Sequence, residues 1–164
     1  IDIDVPATVV GSGTVSQPTF TTLEFETGIA EDTLLYGSIH QGEHASAQVK
    51  LKGVGAISSF EDGEKYNIGI GRKFNDKLSG SLSYTTEEGT SATGTSLLSP
   101  TNGTDTYSLG LNYSTETVDI SFGYAMSVYG DKAVTTLIGG NPFTGNFKNN
   151  DASTVGLRIK FKLP

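Results

Sequence analysis

His40 and His44 stand four residues apart, a spacing that brings two imidazoles to one metal only on a helix. The residues around them read as extended, which puts the rings on one face but well apart. Polar side chains are expected there, not a metal site. Gly69-Ile70-Gly71 has the look of a phosphate-binding turn, yet no helix follows to supply the N-terminus that a dinucleotide loop needs. Serine is plentiful, but no Ser is set beside a His with an orienting carboxylate, and no Gly-x-Ser-x-Gly elbow occurs. The 164 residues include no cysteine, which removes thiolate metal sites, Cys nucleophiles and disulfides. The chain therefore reads as a protein without enzymatic activity, cofactor or metal.

Composition narrows the elements that hold these residues. Hydrophobic residues make up 35% of the chain, below the share of about 45–50% usual in globular domains. Glycine is abundant, with 21 residues, and the formal net charge is −7. An acidic chain lacks the basic footprint of nucleic-acid binding. No apolar run is long enough for a transmembrane helix, which needs about 18 residues or more. No signal peptide opens the chain, so either one was removed or the chain begins inside a longer protein.

The dominant pattern has period two. Tyr66, Ile68, Ile70 and Phe74 alternate with Asn67, Gly69, Gly71 and Lys73. Leu78, Leu82 and Tyr84 oppose Ser79, Ser81 and Ser83. Tyr107, Leu109, Leu111 and Tyr113 oppose Ser108, Gly110, Asn112 and Ser114. Val118, Ile120, Phe122, Tyr124 and Met126 oppose Asp119, Ser121, Gly123, Ala125 and Ser127. Val155, Leu157, Ile159, Phe161 and Leu163 oppose Thr154, Gly156, Arg158, Lys160 and Lys162. Two earlier segments, Phe20 to Ile29 and Thr33 to His44, alternate less cleanly. One face is apolar and aromatic, the other small and polar. A soluble β-sandwich also alternates. These runs, however, are about 9–11 residues long, the length of a tilted strand that crosses a bilayer.

The connections alternate between short and long. Ala30–Asp32, Asn75-Asp76 (read as a two-residue turn) and Thr115–Thr117 are short. His44 to Glu64, Thr86 to Thr104 and Tyr129 to Ala152 are long. Bacterial outer-membrane barrels pair short periplasmic turns with long external loops, which sets the C-terminus on the periplasmic side. The fold class expected is all-β, an antiparallel transmembrane β-barrel with seven to eight strands in this chain. Seven strands are clear, and such barrels normally have an even number. Ile1–Val5 could add an eighth, with Asp2 and Asp4 opposite Arg158 and Lys160; otherwise the chain is the C-terminal half of a larger barrel.

One known family shares these features. The stretch Gly71-Arg72-Lys73-Phe74-Asn75-Asp76-Lys77-Leu78-Ser79-Gly80-Ser81-Leu82-Ser83-Tyr84 resembles penultimate hairpins of the FadL-type long-chain fatty acid transporters. So does Leu97-Leu98-Ser99-Pro100-Thr101-Asn102-Gly103, and Phe25-Glu26-Thr27-Gly28-Ile29-Ala30-Glu31-Asp32-Thr33-Leu34-Leu35-Tyr36-Gly37-Ser38 resembles a mid-chain stretch. The resemblance runs over roughly residues 17 to 163. It implies the last seven strands of a 14-stranded barrel, with the N-terminal hatch and earlier strands outside this chain. It also implies passive passage of hydrophobic compounds such as long-chain fatty acids through a Gram-negative outer membrane. The partners would be membrane lipid, lipopolysaccharide and a hydrophobic small molecule, and the barrel would be monomeric. The ending departs from the family pattern, since Phe161 is followed by Lys162-Leu163-Pro164 rather than closing the chain on an aromatic residue.

Two groups are then candidate ligand-binding residues. Lys73, Arg158 and Lys160 should face the lumen with Glu24, Glu26 and Asp119; they either form an ion-pair lattice or meet a carboxylate. Arg72 falls on the apolar face beside a turn, where its stem snorkels. Leu97, Leu98, Leu137, Ile138, Phe143 and Phe147, with Val134, lie in long loops and are candidate capture surfaces, or they pack the loops together. A small eight-stranded structural or adhesive barrel is the alternative, and a soluble β-sandwich binding module is the second.

Overall fold

The computed structural model describes residues 13–14, 16–52, 55–56, 60–89, 102–138 and 140–162, with the backbone alone at 51, 55, 56 and 136–138. Seven long strands form the body: β1 (Phe20–Ala30), β2 (Thr33–Gly42), β3 (Gly63–Lys73), β4 (Leu78–Glu87), β5 (Thr104–Ser114), β6 (Val118–Tyr129) and β7 (Asn150–Phe161). Each pairs antiparallel with its neighbour in sequence, giving one seven-stranded meander. Each strand has 10 to 12 residues, about twice the ordinary strand. The fold is thus all-β and antiparallel, as the periodicity predicts. The proposed eighth strand, Ile1–Val5, lies outside the described residues.

Register settles which residues share a face. Ile70 pairs Leu35 on one side and Leu82 on the other. That rung continues through Leu109 and Tyr124 to Val155. The adjacent polar rung runs Leu34, Gly71, Ser81, Gly110, Gly123, Gly156. Except in β2, which places Leu34 and Tyr36 on the polar side, the strands therefore contribute their apolar sets to one side, as a period of two requires. On that side the large side chains are open: Leu82 is 58% exposed, Leu157 67% and Phe161 72%. Among the described residues, only Ala47 and Val134 are buried apolar side chains, and neither belongs to the seven strands. Among the described residues no dry core lies behind this sheet. The largest apolar patch on a soluble monomer covers about 300–600 Å²; here it runs across seven strands.

Polar turns link the strands at one end. Asp32 closes the β1–β2 hairpin with φ 54°, a left-handed conformation that Asp and Asn tolerate. A register shift between Gly28 and Ala30 marks the bulge beside it. The β3–β4 turn is longer than the two residues expected. Pairing ends at Lys73–Ser79, and the Asn75 side-chain oxygen accepts bonds from the backbone N–H of Lys77 and Leu78, each at 2.9 Å. An Asx-type bond needs that extra room. In the β5–β6 turn the Thr115 hydroxyl accepts from the Val118 N–H at 3.0 Å.

The opposite end departs further from expectation. The sequence makes Tyr129 to Ala152 a long loop, yet Lys132–Ile138 pairs with Asn141–Phe147 as a second hairpin. It prolongs the β6–β7 pair, because Tyr129 faces Asn150 before the break and Lys132 faces Phe147 after it, with no slip in register. Asn149, at φ 54°, turns the ribbon there, and its N–H donates to Asp131 at 3.0 Å. Seven more residues on each side carry the ribbon about 24 Å past the sheet, at roughly 3.4 Å per residue.

Glycines let rings lie flat on the sheet. A Cβ at Gly37 would come within 2.7 Å of the Phe25 ring, so Phe25 covers its cross-strand partner on the apolar side, and Tyr36 covers Gly69 on the other.

The left-handed turn gives a test. Asp32→Val should lower stability by about 1–2 kcal/mol in denaturant unfolding of the refolded protein, whereas Asp32→Gly should leave it unchanged or slightly higher. Equal effects of the two would contradict the turn geometry.

Candidate functional site

The polar face is built from small side chains that satisfy one another. Asn67 donates to Thr85 at 2.8 Å, Ser121 donates to Asn112 at 2.9 Å, and the Thr106 and Ser127 hydroxyls meet at 2.8 Å. These bonds run between neighbouring strands, so the lattice is mainly neutral. The ion-pair lattice expected on this face does not form among the described residues. Two salt bridges occur, Lys73–Asp76 at 2.9 Å and Lys162–Asp119 at 2.8 Å, both at the turn end of the sheet. Ser114 also donates to Asp119.

The three predicted lumen cations do not form one site. Register places Lys73 and Arg158 on one rung, with Ser79, Asn112 and Ser121 between them. Four strand spacings of about 4.8 Å separate them, roughly 19 Å along the sheet. A single carboxylate cannot reach both. Asp76 holds Lys73, a bond legible in sequence as a spacing of three across a turn. Arg158 and Lys160 are different: they stand two apart on one face of β7, about 7 Å from each other. These two are the cations placed to meet an anion together. A cleft of about 700 Å³ lies over the Ser79, Asn112 and Ser121 rung, with Lys73 at its edge.

Glu24, Glu26 and Glu87 share the polar face with His40 and Lys65: Glu87 pairs with Lys65 at the loop end, while Glu24 and Glu26 stand in the middle of β1. The two histidines are not far apart along one strand, as expected from sequence. His44 sits in a short 3-10 turn, His44–Ala47, which swings its ring to Phe20. Phe20 stacks on His40 and meets His44 edge-on, both with centroids 5.4 Å apart. Thr22 shares a bond of 2.8 Å with His40 Nδ1. Periodicity cannot reveal this cluster, because it depends on the turn. Among the described residues no three His, Asp or Glu side chains group as metal ligands.

Of the loop candidates, Leu97 and Leu98 lie outside the described residues, and Leu137 and Ile138 are placed by backbone alone. The ribbon register sets Lys132, Val134, Phe143 and Phe147 on one face, opposite Ala133, Thr135, Thr144 and Asn146. Phe143 is 48% exposed, while Val134, across from Gly145, is fully buried. The Phe143 side of the ribbon thus mixes apolar residues with Lys132, and the other side is tied by Thr135–Thr144 at 2.9 Å.

A search with family models and a search of curated proteins returned no match. Among solved structures the fold is similar to a crystal structure of a Pseudomonas aeruginosa FadL homologue, with a TM-score of 0.64 and 15% identity. The likeness covers 87% of this chain and 34% of that one, so this chain spans about a third of the protein it resembles. At that identity the likeness establishes the fold, an antiparallel β-barrel wall of which this chain holds seven strands.

The Lys73 bond depresses the Asp76 carboxyl below its usual range, first by hydrogen bonding and then by charge. A depressed carboxylate adds stability above the unfolded value, about 3.9, and loses it as pH falls through the folded one. NMR titration should place the Asp76 midpoint below about 3.9, and Lys73→Met should restore it. A normal midpoint in the unaltered protein would exclude the bond.

Proposed function

We propose that this chain is part of the wall of a Gram-negative outer-membrane barrel that passes hydrophobic compounds, long-chain fatty acids among them, without covalent chemistry. The observation that carries this is the solvent-exposed apolar face of a sheet whose other face is polar. The dimensions support it. On β6 the apolar run from Val118 to Val128 is ten steps of about 3.4 Å, and a 45° tilt reduces that to roughly 24 Å, close to the height of a membrane barrel's apolar band.

The charges agree with that band. On the apolar side of the seven strands the charged residues are Glu64, Asp105 and Asp151 at the loop end and Arg72 at the turn end. Between them stands only apolar and small material. Tyr84 donates to Asp105 at 2.5 Å, and Tyr66 donates to Glu64, so the ring bodies stay in the band while the hydroxyls reach its edge, as interfacial tyrosines do. Short turns at one end and long connections at the other favour a periplasmic C-terminus.

A bilayer also constrains the edges. β1 and β7 each pair on one side only among the described residues. Unpaired backbone in lipid costs several kcal/mol per group, so the wall must close. In a meander of seven strands, β1 and β7 run in the same direction. Antiparallel closure therefore takes an odd number of further strands. Two copies of this sheet with their loops on one side could meet only through parallel joins.

For passage, Phe143 and Phe147 on the ribbon are the proposed capture surface, and Arg158 with Lys160 the contact for a carboxylate. The Lys and Arg side chains near the turn end favour movement of an anionic head inward.

Two outcomes test this. Leu82→Arg should cost about 2–4 kcal/mol in unfolding from lipid vesicles, and Ser83→Arg, one residue along on the polar face, markedly less; equal costs would refute a lipid-facing side. Arg158→Met with Lys160→Met in the full-length protein should slow liposome entry of a long-chain fatty acid about tenfold, yet spare the matching fatty alcohol. Equal loss for both would deny the carboxylate contact.

A further inference from the structure

Arg158, Lys160 and Lys162 follow one another at alternate positions along the end of β7 and the residue after it. One carboxylate, Asp119 of β6, stands among them. Register sets Asp119 directly across from Lys160, where side chains on one face lie about 4.5–5.5 Å apart at Cβ. Lys160 is therefore the expected partner. The ion pair forms on the diagonal instead, between Asp119 and Lys162 at 2.8 Å. The β5–β6 turn explains the choice. There the Lys162 ammonium donates to Asp119 Oδ1, to Ser114 Oγ at 3.1 Å and to the Thr115 carbonyl at 2.7 Å. An ammonium has three N–H donors, and this seat uses all of them. Ser114 donates its own hydroxyl to the same Asp119 oxygen at 2.5 Å, which draws the carboxylate toward the turn. The Lys162 backbone N–H donates to the Thr117 carbonyl at 2.8 Å and fixes the strand end. Among the described residues neither Lys160 nor Arg158 makes an ion pair or a side-chain hydrogen bond.

We propose that Lys162 is a positioning residue for passage: by engaging Asp119 at the turn, it keeps Lys160 unpaired beside Arg158 for an anionic head group. This rests on the carboxylate contact proposed for Arg158 and Lys160 and deepens it. With Lys162 offsetting Asp119, the charges of Arg158 and Lys160, about 7 Å apart, stay uncompensated. Without Lys162, Asp119 is released from the turn and swings to the ammonium directly across from it. One of the two free charges is then lost. Lys162 itself touches no substrate; it acts through Asp119.

The test uses the full-length protein in liposomes and two readouts. The first is entry of a long-chain fatty acid against the matching fatty alcohol. Lys162→Met should slow the acid about threefold, the weight of an exposed ion pair, and leave the alcohol unchanged. Adding Asp119→Asn should restore the acid rate. The second readout is acetylation by a water-soluble amine reagent, followed by mass spectrometry. In the unaltered protein Lys160 should react faster than Lys162. In Lys162→Met it should slow about threefold, and recover once Asp119→Asn is added. Equal reactivity of the two lysines in the unaltered protein overturns the proposal without any variant. So does a folded Lys162→Met, checked by its heat-modifiable gel band, that keeps the acid rate, slows acid and alcohol alike, or is not rescued by Asp119→Asn. If Arg158→Met with Lys160→Met does not separate acid from alcohol, the carboxylate contact fails and the role of Lys162 falls with it. If that pair separates them and Lys162→Met does not, only the Lys162 assignment fails.

Discussion

Every strand in this sheet must satisfy its backbone through its neighbours while presenting opposite solvents to its two sides. A residue repeat of two meets both demands together, because successive side chains point to opposite faces. That is why glycine and serine are as informative here as leucine. The rung Gly71, Ser81, Gly110, Gly123, Gly156 contributes almost no side-chain bulk, so the polar face stays open. The stability of such a wall does not come from a packed interior. It comes from long hydrogen-bonded ladders and from the medium that covers the apolar side, at roughly 25 cal/mol per Å² removed from water.

Charge placement follows from the same division. Charges are kept from the middle of the apolar side and occupy its two ends, where Arg72 and the pair Glu64 and Asp105 stand. On the polar side Lys73, Arg158 and Lys160 gather near the short turns, with Asp119 beside Lys160. Neutral cross-strand bonds such as Asn67–Thr85 hold the middle. The two ends of the sheet thus differ chemically as well as in connection length, which gives the wall a direction.

Much of this was legible in the sequence because the physics is local. Strict alternation from Val118 to Met126 leaves one assignment of faces, and register then follows from short turns. Resemblance to the fatty acid transporters pointed to the fold that the Pseudomonas structure shares. The ribbon beyond β6 and β7 was missed because Gly139, Gly140, Pro142 and Gly145 read as loop. In fact Pro142 pairs with Leu137 beside the tip, where a missing N–H matters little, and Gly145 pairs with Val134. The separation of Lys73 from Arg158 was also hidden, since sequence shows which face a residue takes but not how many strands lie between. The Phe20–His40–His44 cluster depends on one 3-10 turn that no periodicity announces.

The central claim is that the greasy side of the sheet touches hydrocarbon. Spin labels placed one at a time from Leu78 to Glu87, with the full-length protein in vesicles, measure this directly through collisions with oxygen, which concentrates in lipid, and with a water-soluble nickel chelate. The account predicts accessibility that alternates residue by residue, oxygen dominating at 80, 82 and 84 and the chelate at 79, 81 and 83. Uniform chelate access along the strand, or protection of the even positions from both reagents, would contradict it.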